Sequence, residues 1–409
     1  MNVTPTKRRK VLLIHHSGLI GGAGKSLLDL WRALSPHFDV VAYVPSQPPE
    51  LLRFLGTQGV PARSFKGRMA KVPYYSGGEN LWHPRFWFYV SSIPFQRSKW
   101  RRIIADEGAD AVIVNSSVLC WMGAILKGRV SICYVRETLR GQSMSVINRV
   151  LRRMREKFSG VAYLSEFDRR ADRLQNASPI IARDATDPSV YCDTLGKRAA
   201  CAKLAIPMDS FNVLYVGGVS WLKGIDVAIK AMQILRNERV RLLVAGLPPD
   251  PTRPQIWRRS LKRASRFQRK MLREVKVGGI DRRIHYLGVL DEMSPAYSAS
   301  DAIVFPMNRP HQARPAFEAG FQAKPVVITD YENVSECVVH GVNGLVFGVG
   351  DSKALARNIR RLAHDPGLTH RLGQANRVHA LAEHDQARSF DALIEFLHCA
   401  LSKREGGGP

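Results

Sequence analysis

Residues 309–336, which read RPHQARPAFEAGFQAKPVVITDYENVSE, decide the fold. They follow the apolar run 301–305 and contain a loop, a short helical pattern around Glu318 and a second apolar run at 326–329. Strand, loop, helix and strand in that order predict a βαβ unit. Ligands of such units bind at the carboxyl ends of the strands, beside the N-terminus of the helix.

Glu318, in the predicted helix, is the first candidate for ligand binding. A carboxylate only accepts hydrogen bonds and can take two donors at once, so it suits a pair of vicinal hydroxyls. The alternative is an ordinary helix position with no ligand. Glu318 alone does not distinguish a ligand-binding residue from an ordinary helix position. The surrounding sequence pattern is needed for that.

The whole stretch resembles the donor-binding segment of retaining GT-B glycosyltransferases of the glycosyl transferases group 1 type (family 4-like). The family pattern is Glu-x7-Glu, then Ala, small residues, and Lys or Thr before Pro-Val-Val. Glu318 takes the place of the second Glu, which implies that it holds the ribose of a nucleotide. Pro310 stands where the first Glu would contact the donor sugar. Residues 311–315 match a His-x-x-Arg-Pro loop found in some members, which implies donor contacts from His311 and Arg314.

A Gly-rich turn follows the predicted strand 10–16 and precedes a helical pattern. Backbone N–H groups of such a turn can bind phosphate. A P-loop of the form Gly-x4-Gly-Lys-Ser would need a glycine at Leu19, so Gly24-Lys25-Ser26 departs from that motif. Gly21 and Gly22 match the family's Gly-Gly turn, which implies contact with the donor phosphates or the acceptor. These glycines would also suit a tight turn with positive φ, and that structural role is compatible with ligand binding.

The second half of the chain has its own Gly-rich turn, residues 217–224, after the predicted strand 213–216. A lysine at such a turn is well placed to bind a diphosphate. The family pattern there is Gly-Arg-x4-Lys-Gly. Lys223 matches it beside Gly217, whereas Gly218 replaces the arginine. We expect Arg314 to supply the missing positive charge.

Two further segments carry the resemblance. The predicted strand 131–135 ends in Arg136-Glu137, where many relatives have His-Glu or His-Asp with the His near the transferred sugar. Arg136 takes the His position and Glu137 carries over, which implies an acceptor-side location for both. Gly288 ends a strand that the family places beside the nucleotide base.

Alternating strands and helices in both halves predict an α/β chain of the GT-B type, with two Rossmann-like domains facing across a cleft. The expected divisions are an acceptor-side domain, a polar interdomain linker, a nucleotide-sugar domain, and a C-terminal helix that packs back on the first domain and ends in a tail. Their predicted bounds are 1–183, 184–210, 211–380 and 381–409.

Composition restricts the partners and the compartment. The 409 residues carry a net charge of +26 with a pI near 10.3, which favours a polyanionic partner. Zinc-finger, RNP and heptad-plus-basic patterns are lacking, so nucleic acid is not the expected one. The apolar runs are shorter than the ~20 residues of a membrane span. The six Cys show no C-x-x-C spacing and predict reduced thiols in the cytoplasm.

Two stretches predict contact with an anionic surface. Residues 257–276, WRRSLKRASRFQRKMLREVK, form a basic amphipathic helical pattern, for which a solvated outer face is the alternative. Residues 72–100 interleave aromatic rings with Arg and Lys, which suits a membrane interface or a packed core helix equally. We therefore expect a cytoplasmic protein, either free or peripheral on the cytoplasmic face of the membrane.

The resemblance implies a retaining, metal-independent, hexosyltransferase-like enzyme without a cofactor, in which Lys223 and Glu318 act on the donor. It would move a sugar from a nucleotide diphosphate sugar to a glycan or lipid-linked acceptor, in cell-envelope or polysaccharide synthesis. Changed positions 136, 218 and 310 keep open a GT-B-shaped epimerase or a catalytically degraded nucleotide- or glycan-binding protein. The charge and Gly24-Lys25-Ser26 keep open a nucleic-acid-binding or P-loop protein.

Overall fold

The computed structural model describes residues 8–65, 69–72, 84–137, 146–191, 195–246, 261–310 and 312–406. The chain divides into two compact units. Unit 1 comprises Met1–Thr186 and Gln386–Pro409, and unit 2 comprises Asp187–Asp385. Each unit is an α/β fold with a parallel sheet.

Unit 1 is built on a seven-stranded sheet in the order β3-β2-β1-β4-β5-β6-β7, in which every neighbouring pair is parallel. Its strands are β1 Lys10–Ile14, β2 Asp39–Pro45, β3 Ala62–Phe65, β4 Ala111–Val114, β5 Val130–Val135, β6 Gly160–Tyr163 and β7 Ser178–Ile181. Its helices are α1 Gly22–Leu34, α2 Glu50–Thr57, α3 Pro84–Ser91, α4 Ile93–Asp106, α5 Val146–Arg155 and α6 Glu166–Asp172. A 3-10 helix, Ser117–Ile125, follows β4.

Helices cover both faces of this sheet, which is why its central strands are apolar throughout instead of alternating. Leu12 and Val112 pack on one face with Trp100. Leu13 and Ile113 pack on the other face, in the same cluster as the C-terminal helix of the chain. All four strand residues are fully buried.

The C-terminal segment belongs to unit 1, where it forms α14 Gln386–Ser389 and α15 Asp391–Gly406. Leu393 and Leu397 of α15 are fully buried in the cluster that includes Leu13. Burying a leucine contributes about 1.5–3 kcal/mol. These side chains therefore hold the end of the chain against the sheet that its beginning forms.

Unit 2 has a six-stranded parallel sheet in the order β10-β9-β8-β11-β12-β13. Its strands are β8 Phe211–Val216, β9 Val240–Ala245, β10 Ile284–Gly288, β11 Ala302–Phe305, β12 Val326–Thr329 and β13 Gly344–Phe347. Its helices are α7 Lys197–Lys203, α8 Ile225–Ile234, α9 Leu261–Val277, α10 Ser294–Ala299, α11 Arg314–Phe321, α12 Ser352–His364 and α13 Pro366–Glu383.

The segment predicted as an interdomain linker, residues 184–210, differs in the structure. The second unit already begins at Asp187, and α7 lies inside the predicted linker. Cys201 of α7 and the following Ile206 are buried in a core cluster of unit 2. The polar composition concealed this helix because only its inner side is apolar.

The aromatic stretch has both buried and exposed members. Trp100 is fully buried and stacks on Phe65 with ring centroids 4.8 Å apart. Trp87, Phe88 and Phe95 are 58%, 53% and 82% exposed. The part of the stretch at 73–83 lies outside the described residues. None of the helices that the structure describes is long and apolar enough to cross a membrane.

Candidate functional site

The carboxylate of Glu318 is held from two sides in unit 2. Glu318 lies on α11, which begins just after β11, and its side chain is buried. Arg314 donates from Nε to Oε1 at 2.6 Å, and the Tyr297 hydroxyl donates to Oε2 at 2.6 Å. Burial, followed by the negative charge of Glu318, raises the pKa of Tyr297 well above its usual value. Each carboxylate oxygen still has a second lone pair for a ligand hydroxyl.

Lys223 lies in the turn between β8 and α8, close to Glu318. Burial lowers the pKa of Lys223, while the negative charge of Glu318 opposes that shift. The turn depends on Gly224, which has φ +73° and whose added Cβ would lie 1.5 Å from the carbonyl oxygen of Pro306. The structure thus brings the two residues predicted to act on the donor into electrostatic contact.

Glycine backbone forms the ends of three neighbouring strands beside this turn. Gly217 and Gly218 both donate their N–H groups to the Ala245 carbonyl, at 3.3 and 3.1 Å. Gly246 donates to the Gly288 carbonyl at 2.7 Å. Strand ends without side chains allow a ligand to approach the backbone closely.

The structure explains why residue 218 is not an arginine here. Gly218 has φ +60°, and an added Cβ would lie 2.9 Å from the Gly246 carbonyl oxygen. Arg314, which was expected to supply the missing charge, pairs with Glu318 and is buried.

Arg309 is a second arginine near this turn. It is exposed in the loop after β11 and lies over the ring of Trp221 in the same glycine turn, 5.7 Å from the ring centroid. His311 lies outside the described residues.

The glycine turn of unit 1 is more open. Gly21 precedes α1 with φ −139°, and neither Gly21 nor Gly22 has an atom within 4 Å of an added Cβ. The prediction of a tight turn with positive φ at these two glycines is therefore wrong. Gly18 is the sterically required glycine, because its added Cβ would lie 2.1 Å from the Pro48 carbonyl oxygen.

The contacts of the Ser26 side chain do not support the hypothesis that Gly24-Lys25-Ser26 is a P-loop. That hydroxyl is buried and donates to Asp184 Oδ2 at 2.8 Å. It also lies 2.9 Å from the carbonyl oxygen of Gly22 in its own helix. A P-loop hydroxyl would instead coordinate a magnesium ion bound to nucleotide.

A buried polar cluster occupies the carboxyl ends of β1, β4 and β5 in unit 1. Arg136 donates from Nε to Asn115 Oδ1 at 2.6 Å and from Nη1 to Asp184 Oδ1 at 3.1 Å. Asn115 Nδ2 lies 3.2 Å from Nδ1 of His15, which is fully buried. Burial lowers the pKa of His15 well below its usual value, and the positive charges of His16 and Arg136 add to the shift.

Glu137 is held beside this cluster by the segment that follows β4. It accepts hydrogen bonds from the hydroxyls of Ser116 and Ser117 and from the Ser117 backbone N–H, the last at 3.1 Å. Burial lowers the pKa of His16 to about 4, although the negative charge of Glu137 opposes the shift. Arg136 and Glu137, predicted together, therefore lie in one polar site.

Several residues of both sites were missed from the sequence. They are polar side chains at or beyond strand ends, or on a neighbouring helix: His15, His16, Asn115, Asp184 and Tyr297. The first three follow directly on apolar strands, a signal that was available. Tyr297 reaches Glu318 from α10, 21 residues earlier, and no local pattern announces that contact.

The chain has two α/β units, each with a parallel sheet and glycine turns at its strand ends. This is the GT-B fold that the sequence predicted. Residues 197–379 match the family model of glycosyl transferases group 1. The resemblance found in the sequence is confirmed at this level. The match lies within unit 2, where Lys223 and Glu318 are located.

Solved structures agree with the fold over nearly the whole chain. Anabaena HepE in complex with UDP has a TM-score of 0.77 at 18% identity, covering 95% of this chain and 100% of HepE. Sucrose-phosphate synthase of Thermosynechococcus elongatus has a TM-score of 0.73 at 19% identity, covering 98% and 100% of the two chains.

Sequence relatives match a smaller part. D-inositol 3-phosphate glycosyltransferase of Streptomyces avermitilis is 27% identical over 199 residues, which are 45% of this chain and 39% of that protein. The lipopolysaccharide core glycosyltransferase LpsD of Rhizobium meliloti is 25% identical over 205 residues, 50% of this chain and 54% of LpsD. The chain thus spans about half the length of these curated relatives or less.

Proposed function

We propose that the protein transfers a sugar from a nucleotide diphosphate sugar to an acceptor hydroxyl. The observation that carries the proposal is the buried Glu318 carboxylate, which Tyr297 and Arg314 hold in place beside Lys223. Glu318 accepts the two ribose hydroxyls, and Lys223 binds the diphosphate. HepE of Anabaena has been solved in complexes with UDP and with UDP-glucose, which makes uridine the first nucleoside to test.

In the proposed reaction, the bond between the anomeric carbon and the diphosphate oxygen breaks, and the acceptor oxygen bonds to the same carbon with retention. The proton of the acceptor hydroxyl leaves with the departing diphosphate or to solvent. Lys223, the exposed Arg309 and the backbone N–H groups of the glycine turn compensate the negative charge that develops on the diphosphate. Gly217 and Gly288 shape the donor side through their backbones.

Metal independence is part of the proposal. The described residues contain no group of three or more His, Cys, Asp and Glu side chains that could hold a metal ion. The positive charge for the leaving group comes instead from Lys223 and from N–H dipoles. EDTA is therefore expected to leave the rate unchanged, and a strict requirement for magnesium would contradict this mechanism.

The acceptor is proposed to bind unit 1, near Gly21, Gly22, Arg136 and Glu137. The open space at the two glycines and the polar cluster beside β5 support this location. A matched relative acts in lipopolysaccharide core biosynthesis by name, which supports a glycan or lipid-linked acceptor of the cell envelope.

A peripheral position on an anionic membrane surface, on its cytoplasmic side, completes the proposal. The outer side of α9 exposes Arg266, Arg269, Lys270, Arg273 and Lys276, while Met271 and Val275 pack into the core. The exposed rings of Trp87, Phe88 and Phe95 on α3 and α4 are of the type that enters lipid headgroups. Residues 257–260, the start of the predicted basic helix, lie outside the described residues.

Nucleotide binding and product release test the function. Thermal shifts are measured with UDP, GDP, ADP and CMP, then with their sugar conjugates, on the wild type and on Glu318→Gln. The wild type should be stabilised by one nucleotide family, and the variant should lose about 10- to 100-fold in affinity, as expected for one hydrogen-bonded charge. Glu332→Gln, an exposed position in the same unit, is the control.

Release of the nucleotide diphosphate only in the presence of an acceptor completes the test. Binding of a nucleotide sugar without release under any acceptor would favour a nucleotide- or glycan-binding protein. An unchanged affinity in Glu318→Gln would remove the ribose role from this residue.

A further inference from the structure

We propose that His15 and Arg136 form a pair of hydrogen-bond donors that binds an uncharged oxygen of the sugar acceptor, with Asn115 as the positioning residue. The inference rests on the proposed function in one respect only, that the ligand of unit 1 is a sugar. The pair lies at the carboxyl ends of β1 and β5, where parallel α/β sheets bind their ligands.

Arg136 fixes the orientation of the Asn115 amide. Its Nε–H donates to Asn115 Oδ1 at 2.6 Å, and an arginine can only donate. The amide nitrogen of Asn115 therefore faces His15, where it lies 3.2 Å from Nδ1. Because that nitrogen is a donor, Nδ1 of His15 must be the acceptor and carries no proton.

The ring of His15 is neutral at neutral pH. It is fully buried, and the positive charge of Arg136 lies close to it. A neutral imidazole carries one proton, and with Nδ1 unprotonated that proton is on Nε2. His15 thus presents a fixed N–H donor at Nε2 and cannot act there as a base.

Two donors of this cluster lack a partner within the part of the chain that the structure describes. They are Nε2 of His15 and Nη2 of Arg136, both buried. Buried donors without an acceptor are unfavourable, and a ligand oxygen would relieve both. The two side chains belong to one connected chain of hydrogen bonds, so their donors are held in a fixed relation.

The charge balance of the cluster favours an uncharged oxygen. The guanidinium of Arg136 already pairs with Asp184 at 3.1 Å, and the two side chains are 6% and 11% exposed. Its positive charge is therefore compensated inside the protein. What remains available is hydrogen-bond donation, which suits a hydroxyl or ring oxygen of a sugar better than a phosphate or carboxylate.

The tautomer of His15 is measured first, in the full-length protein without ligand. Two-bond proton–nitrogen NMR spectra of the 15N-histidine-labelled protein should show His15 with its proton on Nε2 at neutral pH. The exposed His370 serves as the internal reference for a surface histidine. In Asn115→Asp the carboxylate accepts from Nδ1–H, so the proton should move to Nδ1 or the ring should become charged. A charged ring or an Nδ1–H tautomer in the wild type would overturn the proposal.

The ligand is tested on the same signal. Myo-inositol and the methyl α-glycosides of glucose, mannose and galactose are titrated, with inorganic phosphate in parallel. At least one of these sugars should shift the His15 Nε2 resonance in the wild type, whereas phosphate should not. His15→Gln keeps a donor and should weaken binding of that sugar by only a few-fold, whereas His15→Leu should weaken it about 10- to 100-fold.

A response to phosphate alone, or to none of these probes, would overturn the assignment of an uncharged oxygen. Equal affinities in the Gln and Leu variants would overturn the donor role of His15. UDP binding is measured on the same samples. If the wild type does not bind UDP, the proposed function is contradicted, while the tautomer and sugar results can still be interpreted.

Discussion

The hydroxyl of Tyr297 donates to Oε2 of Glu318 at 2.6 Å, and both side chains are buried. The contact joins α10 to α11, the helices on either side of β11 in the chain. Arg314 holds the other carboxylate oxygen from within α11. The carboxylate is therefore oriented before any nucleotide arrives, which lowers the entropy lost when a ribose binds.

Tyr297→Phe should lower both stability and UDP affinity. The variant keeps the ring but removes one donor from a buried carboxylate, which costs about 1–3 kcal/mol of stability. UDP affinity should fall by less than in Glu318→Gln, because Arg314 still holds Oε1. Melting temperature and isothermal titration with UDP measure the two effects.

Tyr331→Phe is the matched control for that experiment. Tyr331 donates to the backbone carbonyl of Met307 at 2.6 Å in the same unit, so its hydroxyl bonds a main-chain oxygen and not the Glu318 carboxylate. It should lower stability without changing UDP affinity. If Tyr297→Phe behaves in the same way, the orientation of Glu318 does not contribute to nucleotide binding.

Lys223→Ala should reduce transfer and UDP affinity far more than Lys25→Ala. The proposal places the diphosphate charge on Lys223 in unit 2, whereas a P-loop would place it on Lys25. Lys230→Ala, an exposed position on α8, controls for the loss of one positive charge near the turn. Loss of nucleotide binding in Lys25→Ala alone would reverse the choice between the two turns.

Gly224→Ala should disrupt the structure, whereas Gly21→Ala should not. Gly224 has φ +73° and an added Cβ would meet Pro306 at 1.5 Å, so alanine should prevent normal folding of the turn. Gly21 has open space and an ordinary φ, so alanine there should leave the melting temperature unchanged. If a ligand approaches the Gly21 backbone, transfer should fall nonetheless. Full activity in Gly21→Ala would separate this glycine from the ligand.

Most strands of the two sheets could be predicted because buried parallel strands are short apolar runs between polar segments. The apolar run 326–329, for example, is predicted as a strand with the bounds that the structure shows. Helix α7 was missed because its polar outer side outweighs a short apolar side. The 3-10 helix Ser117–Ile125 was missed because it is apolar nearly throughout and has no periodicity to reveal it.

Site residues could be predicted only where a single residue lies in a local sequence motif. Lys223 and Glu318 could be assigned because each lies in a recognisable turn or helix. The Tyr297 contact and the chain from Asp184 through Arg136 and Asn115 to His15 depend on tertiary structure. No local spacing encodes such contacts, since the partners come from separate strands and helices.

His16 should make unit 1 less stable in mild acid. Burial lowers the pKa of His16 to about 4. The negative charge of Glu137 opposes the shift, and the positive charges of Lys71 and Arg136 add to it. An unfolded histidine titrates near 6.5, so between the two values the unfolded chain binds a proton that the folded chain does not. Stability should therefore fall as pH falls, by about 2 kcal/mol between about pH 7 and pH 5.

The variant His16→Gln tests this linkage. It should show a smaller fall in melting temperature between the two pH values than the wild type, whatever its stability at neutral pH. His15 contributes in the same direction, so some pH dependence should remain. An identical pH dependence in the wild type and the variant would show that His16 does not titrate as its burial implies.

The exposed cations of α9 should bind the protein to anionic vesicles. Each Lys or Arg near an anionic surface contributes about 1 kcal/mol, and salt screens that attraction over about 8–10 Å at physiological strength. The wild type should sediment with anionic liposomes, dissociate at high salt and ignore neutral ones. Changing Arg269, Lys270, Arg273 and Lys276 to Gln should reduce sedimentation without altering UDP affinity.

Net charge alone would also attract the protein to anionic vesicles, so the control must change charge equally. Lys353, Arg357, Arg361 and Arg371 are exposed on α12 and α13 of the same unit, and their replacement by Gln removes the same four charges. If α9 is the membrane-facing element, only the α9 variant should lose sedimentation. Equal losses in both variants would mean that the net charge of +26, and not this helix, determines the attraction.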